Sequence, residues 1–305
     1  MANITLRQLR YFDALALHGH FGHAASACSI TQPALSVQIK ELEQELGLAL
    51  FERGSRQVRL SLFGEEFAPR ARAILRAMDE LGDMARAAQD PLGGRLRLGI
   101  IPTIAPYLLP AIIRSLSTSH PGLDIHVRET MTSRLLQELA DAQLDAAIVA
   151  LPVSEPSLTE VALFAESFVL VRPPADQGKP VPDRDSLREM RLLLLEEGHC
   201  FREQALSFCN LGAASPREMM DGSSLSTLVQ MVGAGIGVTL LPEMAVPVET
   251  RAAEVAISRF AAPQPSRTVG MIWRKTTPLA ERLTGISQVV RDCGAALIGP
   301  GCAAS

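Results

Sequence analysis

The chain changes its hydrophobic rhythm once, at Asp90-Pro91-Leu92-Gly93-Gly94, and that change limits the folds open to it. Before this breaker, apolar residues recur at helical spacing. After it, short β-rich runs alternate with amphipathic stretches, the pattern of a parallel-sheet α/β architecture. A breaker of this composition suits a linker. The expected division is a helical unit at 1–60, a long helix and hinge at 61–90, and an α/β region at 91–305.

Composition enters as exclusion. No apolar run approaches the length of a membrane span, and charges break up the apolar residues of MANITLRQLRYF, so no secretory signal is read there. The five cysteines (Cys28, Cys200, Cys209, Cys293 and Cys302) are odd in number, scattered and without CxxC spacing. Neither a disulfide framework nor a zinc site is expected, and no cofactor or metal is called for. These features read as a soluble cytoplasmic protein whose thiols rest reduced.

In the first sixty residues, Leu6, Leu9, Phe12 and Leu15 mark one helix and Phe21 to Cys28 a second. Thr31-Gln32-Pro33 opens a third, with Thr31 as N-cap and Pro33 in its first turn. Leu35, Ile39, Leu42 and Leu46 form its apolar stripe, and Gly47 ends it. Two short helices, a tight turn and an Arg-bearing hairpin from Leu50 to Leu60 have the layout of a winged helix-turn-helix, whose exposed side chains reach base edges and phosphates. Charge alone does not demand DNA: six basic residues oppose five acidic ones in 1–60, whereas nucleic-acid binders often carry a larger basic excess. A small helical packing module fits the pattern too.

Residues 62–89 read as one long helix. Phe63, Phe67, Ala71, Ile74, Met78, Leu81, Ala85 and Ala88 follow close to a heptad seam, which suits pairing with a second copy. Packing within one subunit is the alternative, and Pro69 is expected to disturb the helix.

Beyond the breaker, strands are read at Arg95 to Ile101, Asp124 to Arg128, Ala146 to Leu151, Phe168 to Arg172, Arg191 to Leu195 and Arg267 to Arg274. The first two lead into Thr103 and Thr132, each at the N-terminus of a following helix. Ligands collect at such ends of open α/β sheets, although either threonine could be a plain N-cap. Glycines in Val232 to Pro242 follow a helical stretch and precede a strand, so they make a turn and not a dinucleotide loop.

Leu192 to Cys209 carries the chemistry. It reads as a strand, a turn at Gly198 and a helix starting near His199-Cys200, with Arg202 close by. A thiol at a helix N-terminus is enriched in thiolate, the form that peroxide attacks. A small buried cysteine is the other reading. Cys209 follows Cys200 by nine residues, about 13 Å along an intact helix, and a disulfide needs α-carbons within about 7 Å. If the two join, the helix must unwind and displace Leu206 and Phe208.

Several strings carry a family resemblance. Gly19-His20-Phe21 with Ala24-Ala25, Thr31-Gln32-Pro33-Ala34-Leu35-Ser36, and Leu46-Gly47 with Leu50-Phe51-Glu52-Arg53 resemble the LysR-type transcriptional regulators. Gly198-His199-Cys200, Arg202, Gln204-Ala205, Phe208 and Cys209, together with Ile101-Pro102-Thr103 and Pro106 to Pro110, resemble the OxyR-type hydrogen-peroxide sensors within that family. The resemblance implies an all-α winged helix-turn-helix followed by two Rossmann-like α/β subdomains, as in periplasmic binding proteins, at about 91–162 plus 267–305 and about 163–266. It implies Cys200 as the peroxidatic cysteine and Cys209 as the resolving one, with Thr103, Thr132, His199, Glu203 and Arg267 around peroxide. Glu203 departs from the aspartate often found there, which puts its role in doubt. Thr31, Gln32, Pro33 and Ser36 would meet the DNA groove, and Arg53 and Arg56 the backbone. Expected partners are double-stranded DNA, hydrogen peroxide, further copies of the chain as homodimer or homotetramer, and RNA polymerase. A LysR-type regulator answering a small carboxylate, and a thiol peroxidase, are the competing functions.

Overall fold

A computed structural model describes residues 4–52, 58–89, 94–208 and 220–298. The chain forms two compact units, Met1–Ala85 and Arg86–Ser305.

The first unit packs α1 (Leu6–His18), α2 (Phe21–Ala27) and α3 (Gln32–Leu46) around Phe12, Leu15, Leu35 and Leu42. The helix ends follow local chemistry. Thr5 and Gln8 form a reciprocal capping box on α1, Thr31 accepts the Ala34 N–H to open α3, and Gly47 closes α3 in the left-handed region. Strands β1 (Phe51–Glu52) and β2 (Arg59–Leu60) pair antiparallel as the wing. Glu43 of α3 anchors the wing, accepting the backbone N–H groups of Leu50 and Phe51 at 2.8 and 3.2 Å. The Phe12 ring meets Phe51 at 5.3 Å and Phe67 at 5.1 Å, tying wing and following helix to one core.

That following helix, α4 (Leu62–Gln89), continues through Pro69. The proline is exposed, so water can satisfy the carbonyl it leaves without a donor. The seam read from the sequence divides in two. Phe63, Phe67 and Ala71 pack on the core of their own unit, and Arg72 reaches back to Asp13 of α1 at 2.6 Å. Ile74, Met78 and Leu81 stay open, at 51%, 43% and 60% exposure.

The second unit is built on a seven-stranded mixed sheet. Strands β3 (Gly94–Ile100), β4 (Leu123–Glu129) and β5 (Ala146–Leu151) run parallel, linked by α5 (Ala105–Ser119) and α6 (Thr132–Ala140). The next strand, β6 (Leu158–Arg172), follows β5 without an intervening helix. It pairs antiparallel with β11 (Ser266–Arg274), β9 (Thr239–Pro242) and β10 (Ala256–Arg259). The sheet is therefore only partly parallel, because a helical crossover is what keeps successive strands parallel.

The strand expected at Phe168 to Arg172 is the inner end of β6. Its first half alternates in burial and its last half is buried on both faces, so the two halves carry different periodicities and only the second stands out as an apolar run. The first half pairs with β11, the second with β9 and β10. Strands β7 (Leu193–Leu195) and β8 (Met220–Gly222) form a short parallel pair. Helices α8 (Cys200–Phe208) and α9 (Leu225–Gly233) pack on this pair, α7 (Arg184–Glu189) precedes it in the chain, α10 (Val246–Glu249) packs on α9, and α11 (Ala280–Ile298) covers α5 and β6.

Candidate functional site

The buried strand β7 delivers the chain to a turn at Glu196 to His199, and α8 begins at Cys200. Gly198 is required there twice over. Its φ is +96°, and a Cβ would lie 2.8 Å from the sulfur of Met131. Met131 is the cap residue of α6, whose first residue is Thr132, so the turn before Cys200 rests against the N-terminus of α6. Phe201 anchors α8 inward, its ring 5.0 Å from Phe168 and edge-on. Arg202 donates from Nη1 to the Leu195 carbonyl at 2.7 Å, clamping helix to strand.

Cys200 is half-buried and lines a cavity of about 730 Å³ together with Glu203, Gln204 and Ser207 of α8 and Arg267 of β11. His199 is buried. Desolvation pushes its imidazole below the usual histidine range, with Glu196 opposing, so the ring is neutral near pH 7. His199 therefore adds no positive charge beside Cys200, while the N-terminus of α8 contributes a partial one and Arg267 lines the same cavity.

Neither threonine is an N-cap. Ile104 occupies that position on α5 and Met131 on α6, both without a side-chain cap. Thr103 is buried and gripped by Arg267, which donates from Nη1 to Thr103 Oγ1 at 2.8 Å and from Nη2 to the Thr103 carbonyl at 3.0 Å. The Thr132 hydroxyl is buried without a hydrogen-bond partner among the described residues, as is the Gln204 carbonyl oxygen. Such orphaned groups cost about 1–3 kcal/mol each, which favours a small polar ligand or water beside them.

Cys200, Glu203 and Arg267 thus share one cavity, Thr103 joins through Arg267, and the Gly198–Met131 contact brings the Thr132 end of α6 against the turn. Glu203 is exposed. Cys209, Arg53 and Arg56 lie outside the described residues. Helix α8 is intact to Phe208, about 12 Å along its axis from Cys200. Phe208 packs edge-on against Phe260 at 5.0 Å. Thr31, Gln32, Pro33 and Ser36 are exposed at the start of α3, while Leu35, Ile39 and Leu42 are buried beneath them.

Sequence reasoning missed Glu166, the carboxylate that neutralises Arg267 at 2.7 Å with neither side chain exposed. Its signal was a lone charge inside the apolar run around Phe164 to Leu170. Gln204 belonged to the motif but had no role attached to it.

A winged helix-turn-helix unit, followed by an α/β effector unit with a polar cavity at a strand-to-helix junction, defines a DNA-binding transcription regulator answering a small ligand. The bacterial regulatory helix-turn-helix protein, lysR family, matches residues 6–65, and the LysR substrate binding domain matches residues 89–293. The chain belongs to the LysR family of regulators, within its OxyR-type group. It is 43% identical over 292 residues to a probable hydrogen peroxide-inducible genes activator of Streptomyces viridosporus, covering 94% of each chain. It is similar to a full-length OxyR variant from Pseudomonas aeruginosa (TM-score 0.75, 36% identity, 95% of this chain and 96% of that one). It also resembles a hydrogen-peroxide-bound OxyR variant from Corynebacterium glutamicum (TM-score 0.66, 34% identity, 96% and 94% covered).

Proposed function

We propose that the chain is a DNA-binding transcriptional regulator that senses hydrogen peroxide by reversible Cys200–Cys209 disulfide formation and controls oxidative-stress genes. The observation that carries this reading is Cys200 at the start of α8, in the same cavity wall as Arg267. The Cys200 thiolate attacks one peroxide oxygen, the O–O bond breaks, and the departing hydroxide takes up a proton to leave as water. The sulfenic acid is then attacked by the Cys209 thiolate. The S–O bond breaks, a second water leaves and the disulfide forms. One peroxide oxidises one cysteine pair, which an external dithiol resets; the helix-turn-helix unit, for which a peroxidase has no use, makes the chain a switch and not an enzyme. Thr103 and Thr132 hold peroxide, Arg267 and neutral His199 shape its surroundings, and Glu203 lines the approach.

Closing the disulfide requires the helical path after Cys200 to unwind, which draws on the packing of Leu206 and Phe208. The division at 1–60, 61–90 and 91–305 gives that movement its route to the DNA-reading helix. Thr31, Gln32, Pro33 and Ser36 face the groove, Arg53 and Arg56 meet the phosphates, and an activated form engages RNA polymerase. No helix among the described residues is long and apolar enough to cross a membrane, in keeping with a cytoplasmic regulator.

The test is titration with hydrogen peroxide while operator binding is followed and disulfides are mapped by mass spectrometry. The expected product is a Cys200–Cys209 crosslink that appears together with the change in DNA binding. Both cysteines staying reduced while another small molecule alters DNA binding would overturn the redox switch.

The open half of the α4 seam pairs two copies. Burying Leu81 from both chains contributes about 3 kcal/mol or more. Leu81→Asp is expected to weaken dimerisation more than about a hundredfold, as measured by sedimentation equilibrium. An unchanged dimer constant would move the interface elsewhere.

A further inference from the structure

Glu166 sits in the middle of β6 between Ala165 and Ser167, and its carboxylate has no solvent exposure. Both oxygens are occupied. Oε2 accepts from Arg267 Nε at 2.7 Å, and Oε1 accepts from the Met244 backbone N–H at 2.9 Å. A buried ion pair stabilises a fold no better than apolar side chains of similar volume, so stability alone does not account for it.

Its effect lies at the other end of the guanidinium. With Nε committed to Glu166, Nη1 and Nη2 remain for Thr103, and they hold its hydroxyl and its carbonyl together. Three charge-assisted hydrogen bonds fix the plane of the guanidinium. Arginine only donates, so Thr103 Oγ1 accepts from it. The threonine's own O–H proton therefore does not point at Arg267 and stays available to donate to a different acceptor.

We propose that Glu166 is a positioning residue for peroxide reduction: by locking Arg267 it aims the Thr103 hydroxyl as a donor at the departing oxygen. The inference rests on the peroxide reading above. As sulfur bonds to one oxygen and the O–O bond breaks, negative charge grows on the other oxygen. A donor placed in advance stabilises that charge. The proton that completes water comes from solvent, and Thr103 keeps its own.

The test uses the full-length chain carrying Cys209→Ser, so that oxidation stops at the Cys200 sulfenic acid. Loss of the Cys200 thiol is timed with hydrogen peroxide and, separately, with iodoacetamide, whose leaving iodide needs no donor. Glu166→Gln is expected to slow the peroxide reaction by about tenfold to a hundredfold, within the cost of losing one such donor. Its iodoacetamide rate should hold within about twofold of the parent. Combined with Thr103→Val, it should slow peroxide no further than Thr103→Val does alone.

An unchanged peroxide rate, a parallel fall with both reagents, or multiplying effects of the two substitutions would each overturn the assignment. Should Glu166→Gln fail to fold, Glu166→Asp, which keeps the charge but shortens its reach, enters the same three comparisons. The parent chain separates the two claims. If its peroxide rate is no faster than that of free cysteine, the peroxide reading falls. If it is fast and indifferent to Glu166, only the positioning role does.

Discussion

Replacing Cys200 by serine is expected to abolish the response to peroxide completely while leaving resting DNA affinity within about twofold. Serine keeps the side chain's shape at a half-buried helix start, so the fold should lose little, but its oxygen cannot be oxidised to a sulfenic acid. Cys28→Ser and Cys293→Ser provide the contrast. Burial pushes both of those thiols above the ordinary cysteine range, and Asp292 adds to the shift at Cys293 while Ser115 opposes it. They are held as thiols, the form that reacts slowly with peroxide. Operator binding with and without peroxide, measured across the three variants, checks the claim. A persisting response in Cys200→Ser would mean that the oxidant is sensed elsewhere.

The parts of this molecule legible in its sequence are those set by neighbours along the chain. Thr31 and Gly47 announce the ends of α3 because capping is a matter of three or four residues. The turn at Gly198 is likewise local, and Cys200 at the head of α8 follows from it. Other features depended on partners far along the chain. Only the inner end of strand β6 was legible, as Phe168 to Arg172, because its two halves lie in different surroundings. The antiparallel return of β6 and β11 could not be told from the parallel strands before them, since both appear as short apolar runs.

The seam of α4 shows the same limit in a different form. Its spacing is regular from Phe63 to Ala88, yet Phe63, Phe67 and Ala71 serve their own subunit's core while Ile74, Met78 and Leu81 stay open. Periodicity identifies an apolar face without saying what covers it. The two threonines were visible as helix-start residues, but Ile104 and Met131 hold the cap positions, and the partner of Thr103, Arg267, stands 164 positions away. Glu166 was harder still. A carboxylate just ahead of the buried run Phe168 to Val171 signals that something must neutralise it, but its partner lies 101 positions away.

That partnership makes Arg267→Met the substitution with the largest expected cost to stability. It removes a cation from a pair with no solvent exposure on either side and leaves the Glu166 carboxylate buried with only the Met244 N–H for company. Stranding one member of such a pair costs about 3–5 kcal/mol, a large share of the roughly 5–15 kcal/mol that holds a typical domain together. Trp273 is the only tryptophan, lies on β11 with Arg267 and is buried, so its fluorescence during urea unfolding reports on this unit. Adding Glu166→Leu should recover most of the stability without recovering peroxide reactivity, since an apolar pair can fill the volume but cannot aim Thr103. A single variant as stable as the parent would show that water reaches the carboxylate, and a double variant that senses peroxide normally would separate the ion pair from the chemistry.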